Sequence, residues 1–261
     1  MFKKAIVLVI LCTFVLSMGL AGCGSKPAAQ DPAAPAEAPK KLLVGSDTAF
    51  APFEYQDEKT QEYVGFDMDL IRAVGEEMGY EVEIQGMPFD GLIPALESGT
   101  IDALISAMTI RDDRAERVTF SQPYYLSGLT IVVHPDNNTI KGFDDLVGKN
   151  IAVQIGTTGS EMAKGVKDAK VREFNTAPEA FMELRAGGVD AVINDKPVND
   201  YYLAQTGGKD GKSVGEPLST EEYGIATSKK TPELSKAIDD ALTALKNNGK
   251  YDEIYEKWFG K

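Results

Sequence analysis

From residue 42 onward, short apolar runs alternate with stretches whose apolar positions recur at helical spacing. Leu42-Leu43-Val44 predicts a strand. Leu70, Ile71, Val74 and Met78 share one helical face over Asp67 to Gly79, and Gly79 reads as the stop. Gly91 to Ser98 predicts a short helix. Ile101 to Ala107, Leu129 to Val133 and Ile151 to Val153 read as strands, the first of them buried, and the third leads through a Gly/Thr turn to a helix from Ser160. Leu234 to Lys246 is helical, and Tyr251, Ile254, Tyr255, Trp258 and Phe259 line one face of a last helix. Strands separated by helices imply an α/β class with largely parallel sheets.

One internal repeat stands out. LESGTIDALISA at 96–107 and LRAGGVDAVIND at 184–195 align at an offset of 88 without a gap. Leu96/Leu184, Gly99/Gly187, Asp102/Asp190, Ala103/Ala191 and Ile105/Ile193 are identical. Each copy reads as helix, Gly turn, Asp and buried strand. A solenoid needs at least three copies, whereas two copies suit two similar lobes. Ser106-Ala107 and Asn194-Asp195 then close equivalent strands, and open α/β sheets bind ligands beyond such carboxyl ends.

The first 41 residues follow a different pattern. Lys3 and Lys4 precede an apolar run from Ala5 to Leu20, and Leu20-Ala21-Gly22-Cys23 resembles a bacterial lipobox. Residues 1–22 therefore read as a lipoprotein signal peptide and Cys23 as the lipid-bearing residue. The Ala/Pro-rich remainder of 23–41 reads as an extended tether. Cleavage discards Cys12 and leaves no free thiol.

Composition narrows the chemistry. The 261 residues carry 27 Lys+Arg against 40 Asp+Glu, a formal charge of −13. Cleavage before Cys23 removes two lysines and no acid, which takes that charge to −15. Such acidity argues against nucleic acid, whose phosphates need concentrated cations. One histidine and two cysteines leave little for a metal site, and no cofactor is implied. Function must rest on carboxylates, arginine, hydroxyls, amides, aromatics and backbone.

Three candidate groups lie past buried strands. Arg114 offers a planar fork that matches a carboxylate, although Asp112, Asp113 or Glu116 could simply pair with it. Gly156-Thr157-Thr158-Gly159-Ser160 can expose N–H groups and cap the next helix. Asp195 needs a partner, either Lys196 or a ligand ammonium. Among the aromatics Phe50, Phe53, Tyr55 and Phe89, Phe50 lies in a Pro-containing loop, which weakens a core role for it.

The motifs in order are SDTAFAPFEY at 46–55, GFDMDL at 65–70, GLIPAL at 91–96, DALISAMTIRDDR at 102–114, FSQPYY at 120–125, IAVQIGTTGS at 151–160, DAVINDKP at 190–197, YGIA at 223–226 and NGKYDEIYEKWFG at 248–260. Together they resemble an extracytoplasmic solute-binding protein of the polar amino-acid family, the binding component of an ABC importer. The resemblance implies a type II two-lobed fold, with two α/β lobes joined by two crossing strands around a ligand cleft. Residues 42–124 and 225–261 would form lobe 1 and 129–221 lobe 2, with hinges near 125–128 and 222–224. Arg114 would clamp the α-carboxylate, helped by the N–H groups of Thr109 and Thr158. Asp195 and the Ala107 carbonyl would hold the ammonium. Phe50 and Phe89 would sandwich the aliphatic part, and Asp47, Gln154 and Asn194 would face the side chain. The implied partners are a free amino acid, the membrane-spanning subunits of an importer and, through Cys23, the outer face of a membrane. The protein would be a monomer. The surrounding motifs look most like those of glutamine binders, with arginine next. Relatives that take glutamine often carry Lys and His where this chain has Gln154 and Asn194.

Two other functions find less support in the chain. Gly211-Lys212-Ser213-Val214-Gly215 satisfies G-x-S-x-G, but a polar Gly-rich stretch precedes it instead of an apolar strand. A cyclic-acid dehydratase would need a general acid in the cleft, and a sensory or adhesive lipoprotein would need no tight ligand. The expectation is a binding protein and not an enzyme.

Overall fold

The computed structural model describes residues 40–260. The signal segment, Cys23 and the tether up to residue 39 lie outside the described residues. In chain order, β1 (Lys40–Ser46), β2 (Ala49–Phe50), β3 (Glu54–Gln56), β4 (Tyr63–Val64), α1 (Phe66–Glu77), β5 (Tyr80–Gly86), α2 (Leu92–Ser98), β6 (Ala103–Leu104), α3 (Asp112–Ala115) and β7 (Val118–Phe120) come first. Then follow β8 (Tyr125–Ser127), β9 (Leu129–Val133), β10 (Asn150–Gln154), α4 (Thr158–Lys164), β11 (Lys170–Phe174), α5 (Ala177–Arg185), β12 (Ala191–Asp195), α6 (Lys196–Thr206) and β13 (Lys212–Val214). The chain ends with β14 (Glu221–Tyr223), β15 (Ala226–Ser228), α7 (Pro232–Asn247) and α8 (Lys250–Phe259).

Two five-stranded sheets organise these elements, in the orders β5-β1-β6-β15-β7 and β11-β10-β12-β9-β13. In each, three neighbouring strands run parallel, the fourth runs against them, and the fifth pairs antiparallel with the fourth and so runs with the first three. The sheets are thus mixed, with one strand in five reversed against the expected parallel order. The reason is the path: β9 and β15 each enter their sheet directly after a strand that crosses between sheets. Those crossing strands, β8 and β14, pair antiparallel with Tyr223 opposite Tyr125.

The repeat occupies equivalent places. In the first sheet Val44 pairs with Ala103, and in the second Ile151 pairs with Ala191. Asp102 accepts the Leu43 N–H at 2.9 Å and returns its own N–H to the Leu43 carbonyl. Asp190 does the same with Asn150, at 2.8 Å. Gly99 and Gly187 take φ of 77° and 76° after α2 and α5, the left-handed turn that glycine adopts without strain. The shared residues are those that stop a helix and tie it to the neighbouring strand.

Several boundaries differ from expectation. β1 begins at Lys40, inside the stretch read as tether. The strand expected over Ile101 to Ala107 shrinks to Ala103–Leu104, because Ala107 turns to φ 43° and leaves the ladder. α4 starts at Thr158 because the Thr157 hydroxyl accepts the Ser160 N–H at 3.1 Å as its N-cap. Ser213 lies inside β13, which pairs with β9, so the G-x-S-x-G match is no strand-to-helix elbow. The first core packs Leu42, Val44, Met68, Leu70 and Ile71 with Ile238, Leu242 and Ile254 of the C-terminal helices. The second packs Ile131, Val133, Ile151, Val153, Ala163 and Ile193. Each sheet therefore keeps its loops free at the carboxyl ends of its parallel strands.

Candidate functional site

Those ends meet around a small, closely walled cavity lined by Phe50, Phe89, Ser106, Ala107, Thr109 and Arg114 from the first lobe and by Gln154, Thr157, Thr158 and Asp195 from the second.

Arg114 is buried, and both lobes fix its orientation. Its Nη1 donates to the Thr109 carbonyl at 2.9 Å and its Nη2 to the Gly156 carbonyl at 3.1 Å. Its guanidinium stands over the Phe89 ring, 5.4 Å from the centroid. Among the described residues it has no carboxylate partner, because Asp113 is taken bidentately by Arg111 at 2.7 and 2.8 Å. Burial, with the neighbouring Arg111 charge, lowers Arg114 to about 10. It stays cationic at neutral pH, buried and without a counter-ion, which is a costly arrangement until an anion arrives.

Asp195 is its opposite. Lys196, the mundane candidate partner, bonds Asp200 one helical turn on. Asp195 instead accepts the Tyr223 hydroxyl, which reaches in from β14. Burial, with Glu221 adding like charge, raises Asp195 to about 7 against the opposing pull of Tyr223 and Arg114. Ala107 brings its backbone to the same cavity in a left-handed conformation unusual for a non-glycine residue. Such conformations persist where the surroundings over-determine them, often at ligand sites.

Thr109 and Thr158 flank Arg114 from different lobes. The bridge beside Thr109 uses the Ile110 N–H and the Met108 carbonyl, which leaves the Thr109 N–H outside it. Thr158 opens α4, where first-turn N–H groups have no intrahelical acceptor. Both side chains donate to Glu221 Oε2, at 2.6 and 2.9 Å. Glu221 was not anticipated. It sits on a crossing strand, 112 residues from Thr109 in the chain, and no local motif announces it.

Asp47 does not line the cavity itself. It stands behind Gln154, whose Nε2 donates to Asp47 Oδ2 at 2.7 Å and to the Asn175 carbonyl at 3.0 Å. Burial raises Asp47 to about 6, and Asp90 adds to the shift while the Gln154 hydrogen bond opposes it. The structure does not bring Asn194 to the cavity. Neighbouring side chains on a strand face opposite ways, so with Asp195 inward Asn194 faces away, and its buried Nδ2 has no hydrogen-bond partner. Phe53, beside Phe50 in the motif, is core instead, packed edge-on to Tyr125 and Tyr223 at 4.9 and 5.3 Å. Ser106 and Thr157 line the cavity although neither was singled out for it.

Contacts cross the cleft at several points: Gln154 to Asp47, Arg114 to Gly156, and Glu221 to a hydroxyl of each lobe. Gly156 (φ 76°) packs so closely that a Cβ there would meet the Asp90 Cβ at 3.1 Å. Among the described residues no cluster of His, Cys, Asp or Glu is placed to hold a metal. None of their helices is long and apolar enough to cross a membrane.

Comparison with known proteins agrees with this geometry. Residues 42–261 match the family described as bacterial extracellular solute-binding proteins, family 3. A probable histidine-binding protein of Neisseria gonorrhoeae is 36% identical over 265 residues, which cover 99% of this chain and 96% of the relative. The solved structure of an ancestral arginine-binding protein bound to arginine superposes with a TM-score of 0.82 at 45% identity, covering 84% of this chain and 98% of the other. A structure of an ancestral arginine-binding protein bound to glutamine gives 0.79 at 45% identity, over 85% and 98%. The fold is thus the type II periplasmic-binding-protein fold, two α/β lobes joined by two crossing strands. The chain belongs to family 3 of the bacterial extracellular solute-binding proteins, and it is an amino-acid-binding protein of ABC transport, not an enzyme.

Proposed function

We propose that the cavity takes an amino acid with a cationic side chain, arginine first, and that the protein carries it to the membrane-spanning subunits of an ABC importer. The observation that carries this reading is the charge layout. Arg114 supplies one buried cation without a counter-ion, for the α-carboxylate, with the N–H groups of Thr109 and Thr158 beside it. Asp195 and the Ala107 carbonyl receive the ammonium. Asp47 is a further buried acid, and no cation contributes to its environment. A guanidinium that displaces the Gln154 amide from it would neutralise it, whereas an acidic side chain would meet like charge. Phe50 and Phe89 would flank the aliphatic stem.

Glutamine is the second reading. The motifs looked most like those of glutamine binders, and a 45%-identical ancestral protein was solved with glutamine. Its amide could meet Gln154 without a charge. A thermal-shift panel of the twenty amino acids tests both, since a ligand that binds only the folded state raises its melting temperature. Arginine should give the largest shift. A larger shift with glutamine would reverse the order, and no shift with any amino acid would sink the importer reading.

In this reading the monomeric protein closes about hinges near 125–128 and 222–224, with residues 42–124 and 225–261 moving against 129–221. Lipid on Cys23 would hold it at the outer face of the membrane. Cys23→Ser should free it from sedimenting membranes, and continued sedimentation would refute the anchor.

A further inference from the structure

Below the strand end that meets the cavity lie two carboxyl groups that do not line it. Glu54 on β3 and Asp67 in the first turn of α1 are both fully enclosed. They lie side by side, for the Asp67 N–H donates at 2.9 Å to the carbonyl of Phe53, the residue before Glu54. Glu54 Oε1 accepts the Ser106 hydroxyl at 2.9 Å, and that hydroxyl oxygen accepts the Asp47 N–H at 3.0 Å. Asp67 Oδ2 accepts the Ala107 N–H and the Tyr124 hydroxyl, both at 2.8 Å. The two remaining oxygens, Glu54 Oε2 and Asp67 Oδ1, have no hydrogen-bond partner.

Gly65 makes this proximity possible. At φ 134°, a Cβ on it would stand 2.1 Å from the Phe53 carbonyl oxygen and 2.9 Å from the Glu54 nitrogen. Only glycine lets β3 lie so close to the start of α1. Two ionised carboxylates enclosed side by side repel and offer each other no donor, whereas a proton on one lets it donate to the unpartnered oxygen of the other.

The charged and titratable groups that face the pair are Asp47 after β1, Tyr124 before β8 and Tyr251 on α8. No lysine, arginine or histidine contributes to either carboxyl. Burial, reinforced by Asp67 and Asp47, pushes Glu54 well above the usual carboxylate range. Burial raises Asp67 too, but the Ala107 N–H, the Tyr124 hydroxyl and Glu54 all favour its ionised form. The proton belongs on Glu54 and the charge on Asp67.

We propose that Glu54 and Asp67 share a single proton and act as positioning residues, holding Ser106 and the left-handed Ala107 where the ligand meets the first lobe. Glu54 fixes the Ser106 hydroxyl. Asp67 fixes the Ala107 N–H, and so the direction of the peptide whose carbonyl would receive the ligand ammonium. The positioning half rests on the amino-acid reading of the cavity, and the shared proton does not.

Urea unfolding of the ligand-free protein between pH 6 and 8 reads the proton alone. Glu54→Gln keeps a donor toward Asp67 and an acceptor for Ser106 but cannot ionise. The folded wild type retains a proton that the unfolded chain has released. Its unfolding constant should therefore rise about tenfold per pH unit relative to that of Glu54→Gln. Equal slopes overturn the shared proton. Should the variant not fold, the infrared spectrum of the wild type at pH 8 decides: a buried protonated-carboxyl band is expected, and its absence overturns the proposal. Arginine calorimetry reads positioning. Glu54→Ala should lose at least about tenfold in affinity and Glu54→Gln should rescue it to within about threefold, since only Gln restores the hydrogen bonds. An Ala variant that binds like wild type, or a Gln variant as weak as Ala, overturns positioning. A wild type that binds no amino acid overturns the cavity reading and positioning with it, while the unfolding slopes still judge the proton.

Discussion

Asp195 sets the pH behaviour of the site. Burial raises it to about 7, and a ligand ammonium would pair with its ionised form. Binding must then release a proton below neutrality, so affinity should fall about tenfold per pH unit from pH 7 toward the ordinary aspartate range. Dissociation constants at pH 5.5, 6.5 and 8 check this, and a flat profile would remove Asp195 from ammonium binding. The sign for folding alone is related. A carboxyl whose folded pKa is raised contributes stability at low pH that is lost as pH rises through about 7, so the ligand-induced rise in melting temperature should be larger at pH 8 than at pH 6. Arg114→Ala should cost about 2–5 kcal/mol of binding, because the ligand carboxylate is left buried and unpaired; near-normal calorimetric affinity would place the carboxylate elsewhere. At this scale much of the cavity was legible. Phe50, Phe89, Ala107, Thr109, Arg114, Gln154, Thr158 and Asp195 all reach it, each from a motif at a strand end or turn. Asn194 misled because the side of a strand is set by its neighbour's parity, and the motif does not state parity. Glu221 was invisible because its role exists only once a crossing strand brings it between two distant threonines.

Among the elements, the repeat is the feature the pattern of residues conveyed best. Leu96 and Leu184, Gly99 and Gly187, Asp102 and Asp190 do the same work in two sheets: pack, turn and tie. Each aspartate ties its loop to the adjacent parallel strand through a reciprocal pair of bonds. Asp102→Ala and Asp190→Ala should therefore each cost about 1 kcal/mol of stability. As they lie in different sheets and share no partner, the costs should add in the double variant to within about 0.5 kcal/mol. Urea midpoints of the four proteins test this, and strong non-additivity would show the sheets to be one coupled unit. Strand length was the weak point. Ile101 to Ala107 is apolar enough for a long strand, yet Asp102 is engaged by Leu43 at one end and Ala107 turns left-handed at the other. Burial alone does not distinguish ladder from loop. The reversed strand was equally hidden, since it depends on where the chain crosses between sheets.

For the whole molecule, the cleft contacts determine how it should move. Gln154–Asp47, Arg114–Gly156 and the two bonds to Glu221 all join one lobe to the other, so a ligand that adds contacts to both favours the closed state. Saturating arginine should reduce the radius of gyration measured by X-ray scattering, and an unchanged curve would reject closure as the response. The two-lobed architecture followed from the duplicated unit and the motif order, but the closing contacts did not, because every one of them joins residues far apart in the chain. Glu221 also links departure to the hinge. It belongs to a crossing strand, which in the proposed closure would bend when the lobes part, and it grips the two threonines proposed to face the ligand carboxylate. Cargo would then leave at the pace of that strand. A membrane subunit that pries the two lobes apart could unload the cleft by leverage alone, without ever touching what is inside.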